Sequence, residues 1–124
     1  MQTIETTCGT LTNLGNGIAH IIFNSELVSV EDVAIYGDQC LEFTKGKSIP
    51  FLVDLRQMKK TNREVRKRFA SKHIAKSCKA TALIVGSGFS KIAGNIFLMA
   101  NKPPYPSKLF TDPKKAETWL LQFV

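Results

Sequence analysis

The run IPFLVDL at residues 49–55 constrains this fold more than any other part of the chain. A strand with one solvated face alternates apolar and polar side chains, whereas this one is apolar at consecutive positions. It is bounded by a proline and a basic turn, so it reads as a central strand covered on both faces. ATALIVG, residues 80–86, is a second buried strand. Strands of this kind alternate here with helix-period segments through short loops. That pattern calls for a layered α/β domain with a largely parallel sheet and right-handed crossovers.

The remaining elements fit around these two strands. Residues 3–14 alternate, with Ile4, Thr6, Cys8, Thr10 and Thr12 on one face, and GNG at 15–17 turns the chain into IAHIIF, giving an N-terminal β-hairpin. Ser29 and Asp32 have capping-box spacing, with Val28 placed to staple onto Val33. The stripe Val33, Gly37, Cys40, Leu41 and Thr44 predicts a helix over about 30–45. Thr61 and Glu64 repeat the capping spacing, with Thr61 as N-cap, and open a second helix that turns Val65, Phe69, Ala70, Ile74 and Cys78 inward. FSKIAGNIFLMA, residues 89–100, predicts a third helix, apolar nearly all round from Ile96 to Met99. SKLF at 107–110 reads as an edge strand, and Thr111, Asp112 and Pro113 open a last helix with Ala116, Trp119, Leu120 and Phe123 inward. With 124 residues and no linker or repeat, one domain over 1–124 is expected.

The net charge of +7 is the property of one segment: residues 55–79 carry ten Lys and Arg against one acid, and residues 1–54 carry two against seven. Cys8, Cys40 and Cys78 are odd in number and widely spaced, which fits buried thiols and neither a disulfide framework nor a zinc site. No apolar run approaches the roughly 18 residues needed to span a bilayer, so a cytoplasmic protein is expected.

The order of elements, VDL closing a central strand and a capped helix after a short turn together resemble the STAS domain, the fold of anti-sigma-factor antagonists. TALIVGS and NIFLMANKPPYPSKLFTDPKKAETWL are similar to the SpoIIAA-like group within it, a set of bacterial proteins, with Asn95, Phe97, Pro106, Phe110, Ala116, Trp119 and Leu120 at the pattern's spacing. The resemblance implies a STAS-like single domain, about four helices on a mixed, mostly parallel sheet, working as a regulatory or protein-interaction module. That family's switch is a phosphorylated serine at the start of the helix after the central strand. Here the turn reads MKKTNREV, with Lys59 and Lys60 in place of the acid and the first serine, and Thr61 as the nearest hydroxyl.

No reaction is named by the residues. GSGFSK has lysine at 91 where a dinucleotide fingerprint needs its third glycine, so it reads as a tight turn. His20 and His73 read as structural, and Asp54 lacks a second carboxylate, so no catalytic residue, metal ligand or cofactor is assigned. Basic residues at a helix N-terminus oppose its dipole, which points to an anion held there. Arg56, Lys60, Thr61, Arg63 and Arg66 are the expected contacts for a phosphate-bearing ligand or an acidic partner segment. The expectation is thus a non-catalytic module with a protein partner. Self-association is also expected, through the Ile96–Met99 turn and the opposite charges of the first two helices. Two alternatives stand beside it. The basic helix 56–79 could track nucleic-acid phosphates, although it lacks interleaved aromatics. The apolar third helix could wall a cavity for a lipid or another apolar ligand, as the outline likeness to lipid-handling CRAL-TRIO domains suggests.

Overall fold

The computed structural model describes residues 2–24, 29–58, 62–86 and 88–124. One six-stranded sheet runs through it in sequential order: β1 (Thr3–Glu5), β2 (Gly9–Asn13), β3 (Ala19–Phe23), β4 (Ile49–Asp54), β5 (Cys78–Ile84) and β6 (Ser107–Phe110). The first three strands pair antiparallel, and β3 to β6 pair parallel. Connecting the parallel strands are α1 (Val30–Phe43), α2 (Arg63–Phe69) with α3 (Lys72–Ala75), and α4 (Phe89–Ile96) with a π-helical turn over Phe97–Asn101. Each crossover advances one strand in the same direction, so a common hand stacks all these helices on one face. The chain then leaves β6 and places α5 (Pro113–Leu120) on the opposite face. The expected α/β class, mostly parallel sheet and N-terminal hairpin are what the fold shows.

Strand alternation divides the core into two layers. Ile21, Phe51, Val53 and Leu83 pack toward α1–α4, whereas Ile18, Leu52, Ala80, Ala82 and Ile84 pack toward Ala116 and Leu120 of α5. The run IPFLVDL is apolar throughout because β4 serves both layers.

Three local expectations differ from what forms. Residues 3–14 are two strands, because the Thr6 hydroxyl accepts from the Cys8 and Gly9 amides at 3.2 and 3.0 Å and donates to the Gly9 carbonyl at 2.7 Å, folding the chain back. The turn resets the side-chain phase, so Leu11, rather than Thr10 or Thr12, is buried with Cys8. The second helix is capped by Asn62, whose side chain accepts from the Val65 amide at 3.0 Å, and not by Thr61. Thr61 itself lies outside the described residues. The same helix was expected to continue past Ile74, but it breaks at Ala70 and Ser71, and Cys78 opens β5. Ser71 is extended, with φ −76° and ψ 163°, and the break lets His73 Nε2 sit 3.2 Å from the Ala34 carbonyl and 3.2 Å from Asp38 of α1. Gly37 permits this approach, since a Cβ there would collide with the His73 ring.

The other start signals form as read. Ser29 and Asp32 make both bonds of a capping box, at 3.1 and 3.0 Å, while Val28 lies outside the described residues. Asp112 accepts from the Lys114 amide at 2.9 Å with Pro113 in the first turn. Gly15 and Gly17 take φ of 84° and 90° in the β2–β3 turn, which favours glycine. Along α4 the greasy circumference is shared: Phe97 and Leu98 pack on the core, whereas Ile92, Ile96 and Met99 remain exposed, Met99 by 77%.

Candidate functional site

Between the helical layer and β4–β5 lies an apolar cavity of about 70 Å³. Its floor is Phe51, Val53, Thr81 and Leu83. Tyr36 and Cys40 of α1, Phe69 of α2 and Ile74 of α3 wall it, and Phe97 and Tyr105 close the side nearest β6. The helix positions follow from phase: Tyr36 and Cys40 are four apart on the buried stripe of α1. Phe23, Tyr36 and Phe69 form a triangle of rings with centroids 5.9, 5.2 and 6.0 Å apart, meeting at steep angles. Flat, rigid rings meeting in this way cannot collapse into the space between them.

The polar groups of the wall are engaged with one another. Cys78 Sγ lies 3.0 Å from Thr81 Oγ1, Tyr105 Oη donates to the Phe69 carbonyl at 3.2 Å, and Ser77 Oγ donates to the Ile74 carbonyl at 3.3 Å. Burial pushes the Cys40 and Cys78 thiols up to about 12 and raises Tyr36 and Tyr105 above the usual phenol range. At neutral pH all four are uncharged, and the thiols are poor nucleophiles. Arg66 is the exception. Half-buried on α2, it is the one charged side chain among the described lining residues, and no described carboxylate pairs with it.

The five basic-edge residues have different placements. Arg56 turns back onto Asp54, with Nη2–Oδ2 at 2.7 Å, Nε–Oδ1 at 3.0 Å and its own amide donating to Oδ1 at 2.9 Å. Asp54 follows Leu52 by two positions and so faces the α5 layer. Burial pushes its carboxyl up, but the Arg56 hydrogen bonds and charge outweigh that and hold it below the usual carboxylate range. Arg63 is exposed in the first turn of α2, Arg66 lines the cavity, and Lys60 and Thr61 lie outside the described residues. His20 stands half-buried on the same sheet face as Asp54. Burial lowers its pKa, with the Asp54 and Glu117 carboxylates opposing in part. Among the described residues no group of three or more His, Cys, Asp or Glu is placed to hold a metal, and no helix is long and apolar enough to cross a membrane.

Of the rings about the cavity, the helical stripe points Phe69 inward, whereas Tyr36 and Tyr105 are not singled out by sequence. Tyr36 was open to discovery, three residues after Val33 on a stripe already marked, whereas Tyr105 sits inside a proline cluster that reads only as a loop.

Residues 12–124 match the family described as a domain of unknown function, DUF7793. The chain belongs to that family. Every cavity-lining residue of this DUF7793 domain falls within the matched span, while β1 precedes it. Neither a curated protein nor a solved structure matches the chain.

Proposed function

We propose that this DUF7793 domain is a non-catalytic, cytoplasmic ligand-binding module of regulatory type, whose cavity receives a small apolar group and whose occupancy is passed to a protein partner. The observation that carries this reading is the 70 Å³ apolar cavity at the layer interface. Protein interiors pack to crystal density, so a space of this size bounded by paired polar groups and rings is a departure that a ligand would fill. Two features support a binding role over a reaction: the lining thiols are held protonated, and the hydroxyls of the wall are hydrogen-bonded to their neighbours.

The partner surface is proposed to be the outer face of α2 and α3, where Arg63, Lys67, Arg68 and Lys72 are exposed beside the acidic Glu31, Asp38 and Glu42 of α1. An acidic segment, or a second copy related by a two-fold axis, complements this surface. The STAS-like resemblance, in which such modules regulate through protein contacts, points the same way. Light scattering that shows only monomer at high micromolar concentration would remove the dimer from this reading.

The cavity is tested with cyclopropane, half the carbons of benzene and so in proportion to a space of about 70 Å³. Titration followed by amide NMR is expected to shift resonances confined to α1, β4 and β5 around Cys40, Val53 and Leu83. Shifts that are absent, or scattered over the surface, would refute a binding cavity. Val53→Phe, which fills the space from the floor, should abolish them.

A further inference from the structure

We propose that the cavity's ligand is a monocarboxylate with a short apolar tail, the tail entering among the rings and the carboxylate pairing with Arg66; this rests on the cavity being a binding site. Among its described residues the wall leaves one free donor to a polar head. Cys78 and Thr81 bond each other, as do Tyr36 and Cys40, and Tyr105 and Ser77 donate to backbone carbonyls, so the neutral donors of the wall are already used and a head that accepts hydrogen bonds finds a free donor in Arg66. Arg66 brings five N–H donors in a planar fork and keeps its charge at any working pH. Among the described residues it has no carboxylate of its own. Asp54 is committed to Arg56 and faces the other layer.

Charge balance selects the head. One guanidinium compensates one negative charge, and a carboxylate matches the fork with two parallel hydrogen bonds. A phosphate dianion would leave a second charge uncompensated against Phe69 and the apolar wall, where desolvation is costly. An ammonium head would meet Arg66 as a like charge.

Volume selects the tail. The cavity is about 70 Å³, and an apolar cavity of roughly 150 Å³ encloses a benzene ring. A tail of roughly three carbons, with its head left at the Arg66 rim, is therefore the size that enters, whereas a long-chain lipid is too large.

The test uses three probes with one tail: butanoate, butan-1-ol and butylamine, titrated into the full chain at pH 7 and fixed salt, with amide NMR reporting which residues respond. Butanoate is expected to perturb Cys40, Val53 and Leu83 and to bind at least tenfold tighter than butanol, with butylamine weakest. Arg66→Gln should bring butanoate and butanol to within about twofold of each other, and Arg66→Lys, a cation without the fork, should restore only part of the difference. The same spectra report whether each variant is folded. Equal affinity of the wild type for butanoate and butanol, or an unchanged preference in Arg66→Gln, overturns the monocarboxylate while leaving the cavity a binding site. Butanoate shifts confined to Arg63 and Lys67 overturn it as well, as surface attraction. If none of the probes perturbs the cavity residues, the binding reading itself fails.

Discussion

The two faces of the sheet are packed by different means. On the α5 face, Ile18, Ala80, Ala82, Ala116 and Leu120 are all fully buried, and three of these five are alanine. Small side chains let helix and sheet approach closely, with no rotamer choice to leave a gap. The helical face is built from Phe23, Tyr36, Phe51, Phe69 and Leu83, brought by strands and by helices that enter at independent angles, and there a cavity remains. Along β5 the contrast falls between neighbours: Ala80 and Ala82 point one way, Thr81 and Leu83 the other. On the α5 face alanines make the close contact of helix and sheet, with the half-buried rings of Phe110, Trp119 and Phe123 packed beside it, whereas on the helical face the rings meet at the centre of the layer and leave a cavity.

Enlarging one side chain on each face breaks or sharpens this contrast most. Ala82→Leu should cost about 3 kcal/mol by overpacking, or about 10 °C in melting temperature, whereas Val53→Phe should change stability by less than about 1 kcal/mol because space exists for it. Thermal melts of the two variants measure the asymmetry, and equal losses would contradict it. The second effect belongs to the α5 face: Asp54→Asn should cost about 1–2 kcal/mol at neutral pH through its hydrogen bonds to Arg56. The folded Asp54 pKa is depressed, so its contribution is fully present above the unfolded value of about 3.9 and disappears as pH falls through the folded value. Wild type and variant should therefore converge in strong acid.

Smaller effects separate the faces by pH. On the helical face the buried thiols are raised, so their contribution is present below the unfolded thiol value of about 8.5 and is lost as pH rises toward about 12. Cys40→Val should flatten part of the alkaline fall in a denaturation series. On the α5 side the His20 pKa is lowered. Wild type should lose stability as pH drops below about 6.5, the unfolded histidine value, and His20→Gln should remove that step, the smallest of the set.

How much of this was legible in the sequence follows the range of each determinant. IPFLVDL, SKLF and the Ser29 and Asp112 caps are fixed within a few residues, and each formed where its signal lay. Helical phase puts both Arg63 and Arg66 within the apolar stripe of the second helix, yet Arg66 lines the cavity while Arg63, in the first turn, is exposed. The Thr6 turn and the helix break at Ser71 were missed because hydroxyl bonding and a contact to α1 overrode a local periodicity that continued through both. Pairing of Arg56 with Asp54 needed only a two-residue spacing, yet it depends on the strand ending at 54 so that the chain can turn back. The cavity was beyond such reading. Periodicity says which side chains point inward, whereas whether Phe23, Tyr36 and Phe69 fill their space depends on three elements meeting at particular angles.

Xenon tests most directly whether the helical face holds an enterable space, because it binds dry apolar cavities without any head group to steer it. Methyl and amide spectra recorded under xenon pressure should shift at Val53, Ile74 and Leu83, while Ala82 and Leu120 across the sheet stay fixed, and Val53→Phe should suppress the response. Shifts equal on both faces, or undiminished in Val53→Phe, would contradict the cavity as the binding site of this domain.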